Sequence, residues 1–301
     1  MVAARFIPRG SLIISESPLF TVHGDFTTLD KTAAAIEAKV STLSAEQKAI
    51  FLALHNSQGS NMSTVVGIVK TNAHPLGVGA RDCGIFPLCS RFNHSCASNA
   101  SYTWVAASSK ETIYAGKDIA VGEQITVNYL DESHLNQKRS DRRAALMRDF
   151  RFECSCNVCG ASPREVAASD RRRLEIARLD GIIGGGMIVI TNPPKCLQHC
   201  KDILRLYTEE GMNDDSLFKT YNDAFQVCIM HGDLARASAF ATLAVSCLGA
   251  GDPTIDQVRP YVEHPERHQY AGMSNRWRTE KRLARKVGQN GFEKWLWERA
   301  G

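Results

Sequence analysis

The sequence predicts an α+β protein with a strand-rich N-terminal half, a helical insert at about residues 21–75 and an all-α C-terminal region. A capping-box pattern at Ser44 predicts a helix through Leu54. After Cys159 the periodicity becomes helical and the composition more charged, which places a domain boundary near residue 161. Short β-branched and apolar runs bounded by turn residues predict strands at residues 11–15, 100–105, 112–115 and 124–128.

The C-terminal half has the period of packed helices. The pattern of residues 215–230 and 234–248 predicts a helical hairpin. A second copy of this pattern is not visible, so no repeat array is predicted. The basic clusters at 138–139, 142–143 and 171–173 alternate with acidic residues. This alternation favours solvated helical faces over a nucleic-acid interface.

Composition and charge restrict the cellular setting. The 301 residues contain no apolar run of the roughly eighteen residues that a membrane helix needs. The first ten residues also lack the apolar run of a signal peptide. We therefore expect an intracellular protein of the nucleus and/or cytoplasm, monomeric and with no membrane partner. The formal charge of +4 does not by itself indicate nucleic acid as a direct ligand.

Ten cysteines in an intracellular chain point to metal binding before disulfides. Cys154, Cys156 and Cys159 form a C-x-C-x2-C pattern that predicts one tetrahedral zinc ion, with Cys96 as the best candidate for the fourth ligand. Ordinary buried thiols are the alternative, which this spacing disfavours. A second group, Cys196 with His199 and Cys200, is predicted to be plain buried or surface residues rather than ligands.

Three segments carry a family resemblance. Residues 90–100 (SRFNHSCASNA) closely resemble the signature R-F-x-N-H-S-C-x-P-N of SET domains, and residues 122–129 (GEQITVNY) resemble the second signature, G-E-E-I-x-x-x-Y. Residues 152–159 (FECSCNVC) resemble the post-SET zinc segment. The chain thus resembles the SET-domain protein lysine methyltransferases, and most of all the fungal SET proteins related to the SET-and-MYND group. No MYND finger is expected, because residues 21–75 contain no cysteine.

The resemblance implies a pseudoknot-like threading, S-adenosylmethionine as methyl donor, and a protein substrate methylated on lysine, either a histone or a non-histone protein. It implies that Tyr129 is the catalytic residue and that Phe152 stacks on the adenine. It also implies a SET domain at 1–130, a post-SET linker helix and zinc segment at 131–160, and a helical domain at 161–301. The remaining implied donor-binding residues are Asn72, Ser90, Asn93, His94 and Phe150.

Two points stay open at this level. His94 is compatible with a structural role, holding the threaded loop, as well as with donor binding. The family usually begins with a G-x-G turn, whereas this chain begins at the tail of that pattern, with VAARFIPRG at residues 2–10. The alternative function is therefore a catalytically inactive SET-fold scaffold that binds zinc and other proteins.

Overall fold

The computed structural model describes residues 1–23, 29–77, 79–212, 214–249, 251–274, 276–280 and 291–298. The chain divides into two compact units. The N-terminal unit comprises residues 1–135 and 139–161, and the C-terminal unit comprises residues 136–138 and 162–301. Parts of the predicted helical insert (24–28) and of the predicted helical region (213, 250, 275, 281–290 and 299–301) lie outside the described residues.

The described strands of the N-terminal unit form three small sheets. The first sheet has the order β1-β7-β6, the second β2-β4-β3, and the third pairs β5 with β8. The strands are β1 (Leu12–Glu16), β2 (Phe20–His23), β3 (Ala73–Pro75), β4 (Asp82–Ile85), β5 (Asn93–His94), β6 (Ala100–Val105), β7 (Lys110–Ala115) and β8 (Thr126–Val127). The predicted strands at 11–15, 100–105 and 112–115 are confirmed within two residues at each end.

The predicted strand at 124–128 is shorter than expected. Only Thr126–Val127 forms a strand, and Gln124 makes an isolated antiparallel bridge with Val2. The side chain of Asn99 provides the physical reason. Its Nδ2 donates to the Gln124 carbonyl (2.9 Å), and its Oδ1 accepts from the Thr126 N–H (2.8 Å). A side chain therefore satisfies backbone groups that a neighbouring strand would otherwise satisfy.

The helices of the N-terminal unit are α1 (Leu29–Ser41), α2 (Ala45–Leu52), α3 (Thr64–Asn72), α4 (Glu132–Leu135) and α5 (Arg139–Phe150). The capping box at the start of α2 is confirmed: Gln47 N–H donates to Ser44 Oγ, and Ser44 N–H donates to Gln47 Oε1. The helix ends at Leu52 rather than Leu54, because the Leu54 N–H bonds to the carbonyl of Phe51, three residues back.

The C-terminal unit contains helices α6 (Pro163–Gly184), α7 (Met187–Thr191), α8 (Pro193–Glu209), α9 (Asp214–Met230), α10 (Leu234–Ser246), α11 (Thr254–Glu263) and α12 (Phe292–Trp297). The predicted helical hairpin corresponds to α9 and α10, which pack against each other. Within the described part of the chain, no helix is long and apolar enough to cross a membrane.

Candidate functional site

The third sheet joins the two signature segments. β5 and β8 are parallel, with Asn93 opposite Thr126 and His94 opposite Val127. Tyr129 follows β8 directly, and its backbone N–H donates to His94 Nδ1 at 3.0 Å. Its hydroxyl donates to the Phe92 carbonyl at 2.5 Å. Burial, with a smaller contribution from Tyr102, raises the pKa of Tyr129 to about 12, so its phenol stays protonated at neutral pH.

His94 is fixed through both ring nitrogens. Because Nδ1 accepts from the Tyr129 N–H, we assign the proton to Nε2, which lies 3.4 Å from Cys96 Sγ. The ring is buried, with 8% of the residue exposed. The imidazole therefore connects Tyr129 to the cysteine segment, and this geometry favours the structural role that the sequence left open.

Four rings form one aromatic cluster around Tyr129. Its ring centroid lies 4.9 Å from that of Phe150, 5.4 Å from that of His94 and 6.4 Å from that of Phe152. The chain turns sharply between the two phenylalanines, because Arg151 has a φ of 60°. A left-handed backbone at a non-glycine residue costs about 1–2 kcal/mol. The packing of Phe150 and Phe152 on Tyr129 accompanies this strained turn.

The other residues expected to bind the donor differ in their accessibility. Asn93 is exposed on β5. Asn72 is buried, and its Nδ2 donates to the carbonyls of His55 and Ile68, both at 2.7 Å. Ser90 Oγ donates to the carbonyl of Phe86 (2.7 Å) and lies 3.1 Å from that of Asn72. Ser90 and Asn72 therefore hold local backbone, and Asn93 presents its side chain outwards.

The four cysteines predicted as ligands lie together. The sulfur atoms of Cys96, Cys154, Cys156 and Cys159 are all within 4.8 Å of one another, and the Cys96 and Cys159 sulfurs are 3.6 Å apart. Zn–S bonds of about 2.3 Å in tetrahedral geometry place sulfurs about 3.8 Å apart. Hydrogen bonds to the other three thiols raise the pKa of Cys96 well above its usual range. The group could hold a metal ion.

Helix α5 surrounds this cysteine group with arginines. Arg142 is completely buried, and its Nη2 lies 3.7 Å from Cys159 Sγ. Arg143 donates to the carbonyls of Cys154 (3.0 Å) and Cys159 (3.2 Å). The prediction that the basic clusters form solvated faces is therefore wrong for Arg142, and also for Arg173 in α6, which is completely buried. Period and charge alone do not show which helical face a tertiary contact covers.

Sequence reasoning missed Gln58. This residue is 2% exposed, and its Nε2 donates to the carbonyl of Asp149 (2.9 Å), next to Phe150. Its Oε1 has no hydrogen-bond partner among the described residues. A buried acceptor beside the aromatic cluster is suited to a donor group of a ligand. A single glutamine in a loop gives no pattern that could have predicted it.

The second cysteine group has no comparable geometry. Cys196, His199 and Cys200 are buried on α8. Over the described ranges, the group around Cys96 is the one set of His, Cys, Asp and Glu side chains close enough to hold a metal ion. That Cys196, His199 and Cys200 are not ligands stays a prediction.

Comparisons with known proteins identify the family. Residues 1–130 match the model of the SET domain. The chain is similar to the histone-lysine N-methyltransferase set5 of Schizosaccharomyces pombe, with 32% identity over 90% of this chain and 82% of that protein. Shorter similarities link it to the human protein-lysine N-trimethyltransferase SMYD5 (35% identity over 27% of this chain and 20% of that protein) and to a SET and MYND domain-containing protein of Dictyostelium discoideum (36% over 27% and 15%). The chain therefore belongs to the SET-domain lysine methyltransferase family.

Proposed function

We propose that the chain is an S-adenosylmethionine-dependent protein lysine methyltransferase that transfers a methyl group in line to a neutral lysine amine. The observation that carries the proposal is the protonated, half-buried phenol of Tyr129 within the aromatic cluster. Its hydroxyl proton is committed to the Phe92 carbonyl. The oxygen lone pairs are therefore left to accept the weak C–H hydrogen bonds of an electron-poor methyl group.

The donor supplies a sulfonium methyl group, and the residues around Tyr129 would hold it. Phe152 offers a ring face for the adenine, and Phe150 packs beside it. Asn93 offers an exposed amide, and Gln58 a buried acceptor. Asn72, Ser90 and His94 act through the backbone that they fix. Positioning and exclusion of water are the main contributions that such a site makes to a displacement reaction.

The cysteine group would bind one structural zinc ion. Four thiolates fill a tetrahedral shell, so no open position is left for chemistry at the metal. Cys154 lies two residues after Phe152, and Cys96 contacts the His94 ring. Zinc at this position would therefore hold the proposed adenine platform next to the strand that carries Asn93.

We propose a corresponding division of the chain. Residues 1–130 form the SET domain, residues 131–160 the post-SET linker helix and zinc segment, and residues 161–301 a helical domain that selects the protein substrate. Histones are the first substrates to test, since the similar protein of S. pombe is named for histone-lysine methylation. We place the protein in the nucleus and/or cytoplasm, as a monomer with a protein partner rather than a nucleic acid.

The test is a methylation assay with radiolabelled S-adenosylmethionine over core histones and cell-extract proteins. Tyr129→Phe should lower labelling by on the order of 100-fold, because it removes the oxygen that orients the methyl group. Tyr270→Phe, which changes a tyrosine of the C-terminal unit, should label like the wild type. Equal labelling by wild type and Tyr129→Phe would remove Tyr129 from this role. If zinc-loaded, folded wild type does not bind S-adenosylmethionine in titration calorimetry, the inactive scaffold is favoured instead.

A further inference from the structure

A buried carboxylate on β7 has no part in the roles proposed above. Glu111 on β7 is 0% exposed. Its Oε1 lies 3.3 Å from His74 Nδ1 on β3, and its Oε2 has no hydrogen-bond partner among the described residues. A buried carboxylate is costly unless a proton or a cation compensates it. His74 is therefore the group that can share or accept a proton with Glu111.

The other groups that face Glu111 do not compensate its charge. Glu16 lies opposite on β1, and its carboxylate already accepts the N–H groups of Leu88 and Cys89. Burial, followed by the charges of Glu16 and Glu111, raises the pKa of the Cys89 thiol above its usual range, so this thiol is neutral. On β6, Trp104 lies directly opposite Glu111. Among these described neighbours, His74 is the one group that can carry a positive charge.

Aromatic side chains lie next to His74 in the pair of Glu111 and His74. The ring centroid of His74 lies 5.2 Å from that of Tyr102 and 5.8 Å from that of Phe86. Tyr102 and Tyr129 both pack against the hydrophobic cluster that contains Phe86 and Ile113. The side chain of His74 is 14% exposed, in contrast to that of Glu111. Glu111, His74 and Tyr102 are therefore successive neighbours, and Tyr102 lies on the same core cluster as Tyr129.

We propose that Glu111 and His74 form a dyad that accepts the proton of the substrate lysine, acting through Tyr102. The inference rests on the proposed methyltransferase function. The reaction needs the neutral amine, and at pH 7.4 only about one lysine amine in a thousand is neutral at its ordinary pKa of about 10.4. A proton acceptor built into the fold would supply that form at neutral pH.

One N–H bond of the substrate ammonium breaks, and its electron pair remains on nitrogen as the lone pair that attacks the methyl group. The proton passes through the Tyr102 hydroxyl to His74 Nε2, while Nδ1–H of the same ring faces Glu111 Oε1. Glu111 stabilises the imidazolium that forms, as a carboxylate does for the histidine of a catalytic triad. The proton then leaves to water at the exposed part of His74.

The test is the pH dependence of methyl transfer by the full chain, measured from pH 6 to 10.5 with radiolabelled S-adenosylmethionine and core histones. Glu111→Gln removes the charge of the carboxylate but keeps its shape, and His74→Phe removes the base but keeps a ring against Tyr102. At pH 7.5 both variants should transfer about 100- to 1,000-fold more slowly than the wild type. Their rates should rise about tenfold per pH unit and approach the wild-type rate near pH 10, where the amine loses its proton unaided. Thr112→Val is the matched control, since Thr112 points to the opposite face of β7.

Three outcomes contradict the inference in distinguishable ways. A loss that is uniform across pH, with a lower melting temperature or lower affinity for S-adenosylmethionine, would make the dyad merely structural. Wild-type activity with unchanged pH profiles in both variants would reject the dyad and leave the methyltransferase function standing. Absence of methyl transfer by the wild type to histones and extract proteins would reject the proposed function, and the role of the dyad with it.

Discussion

In the N-terminal unit four cysteines, three of them buried and Cys156 half-buried, lie beside Arg142, whereas in the C-terminal unit Glu210 is buried against two arginines. Glu210 accepts from Arg172 Nε (2.6 Å), Arg173 Nε (2.8 Å) and Ser169 Oγ (2.6 Å). Both clusters are largely buried and polar, and both contact arginine side chains of a helix. They differ in how their charge is compensated.

The Glu210 network is complete within the protein, because its single carboxylate meets two guanidinium groups. The charge of four thiolates in the cysteine group is not balanced by the arginine beside them. Four thiolates would carry four negative charges, and Arg142 supplies one positive charge, so a divalent cation is needed to bring the sum close to zero. The protein alone therefore compensates the charge of Glu210, whereas the proposed zinc ion would compensate the cysteine group.

The largest expected effect is loss of the ion. Cys156→Ser should abolish stoichiometric zinc and, with it, ordered structure at residues 150–160, because structural zinc sites contribute about 10–16 kcal/mol of binding free energy to folding. Affinity for S-adenosylmethionine should fall with it, since Phe152 loses its position. Metal analysis and titration calorimetry measure both quantities. Cys247→Ser changes a buried thiol outside the group and should retain zinc. Undiminished donor affinity in zinc-free protein would contradict this dependence.

The next largest effect is expected from disruption of the Glu210 network. Glu210→Gln removes the buried carboxylate that Arg172 and Arg173 contact and should destabilise the C-terminal unit by about 3–5 kcal/mol. Denaturant unfolding followed by fluorescence measures this change. Glu209→Gln is the matched control, because Glu209 is exposed and its pair with Arg205 is worth only about 0.3–0.5 kcal/mol. Zinc content should stay at one ion per chain in both variants. A loss of zinc in Glu210→Gln would show that the clusters are coupled.

The two clusters also differ in what sequence could predict. C-x-C-x2-C is a local pattern, and the fourth cysteine lies within a recognisable segment, so all four residues could be named. Arg173 lies on α6, and Glu210 follows the end of α8, 37 residues later; nothing in either local pattern predicts their contact. Gln58, Glu111 and His74 escaped prediction for the same reason. Single polar residues acquire a role through tertiary contacts, which periodicity does not report.

Prediction of the secondary structure from the sequence has a similar limit. The strands at 100–105 and 112–115 and the helix start at Ser44 were predictable, because alternation and capping are local. The short third sheet was not, because Asn99 replaces strand pairing by side-chain hydrogen bonds. Local propensity therefore defined most elements, and long-range polar contacts decided where the remaining element ended.

Removal of the arginine beside the cysteine group should have the smallest effect of the three. Arg142→Met keeps the buried volume but removes the charge beside Cys159. We expect zinc affinity to fall about 10- to 100-fold, as with other groups that contact metal ligands, while one ion still binds at saturating zinc. Competition with a chromogenic chelator measures the affinity. Arg148→Met is the control, since this arginine lies exposed on the same helix and pairs with Asp149. Equal zinc affinities in the two variants would mean that Arg142 serves packing alone and that the ion compensates the thiolates without it.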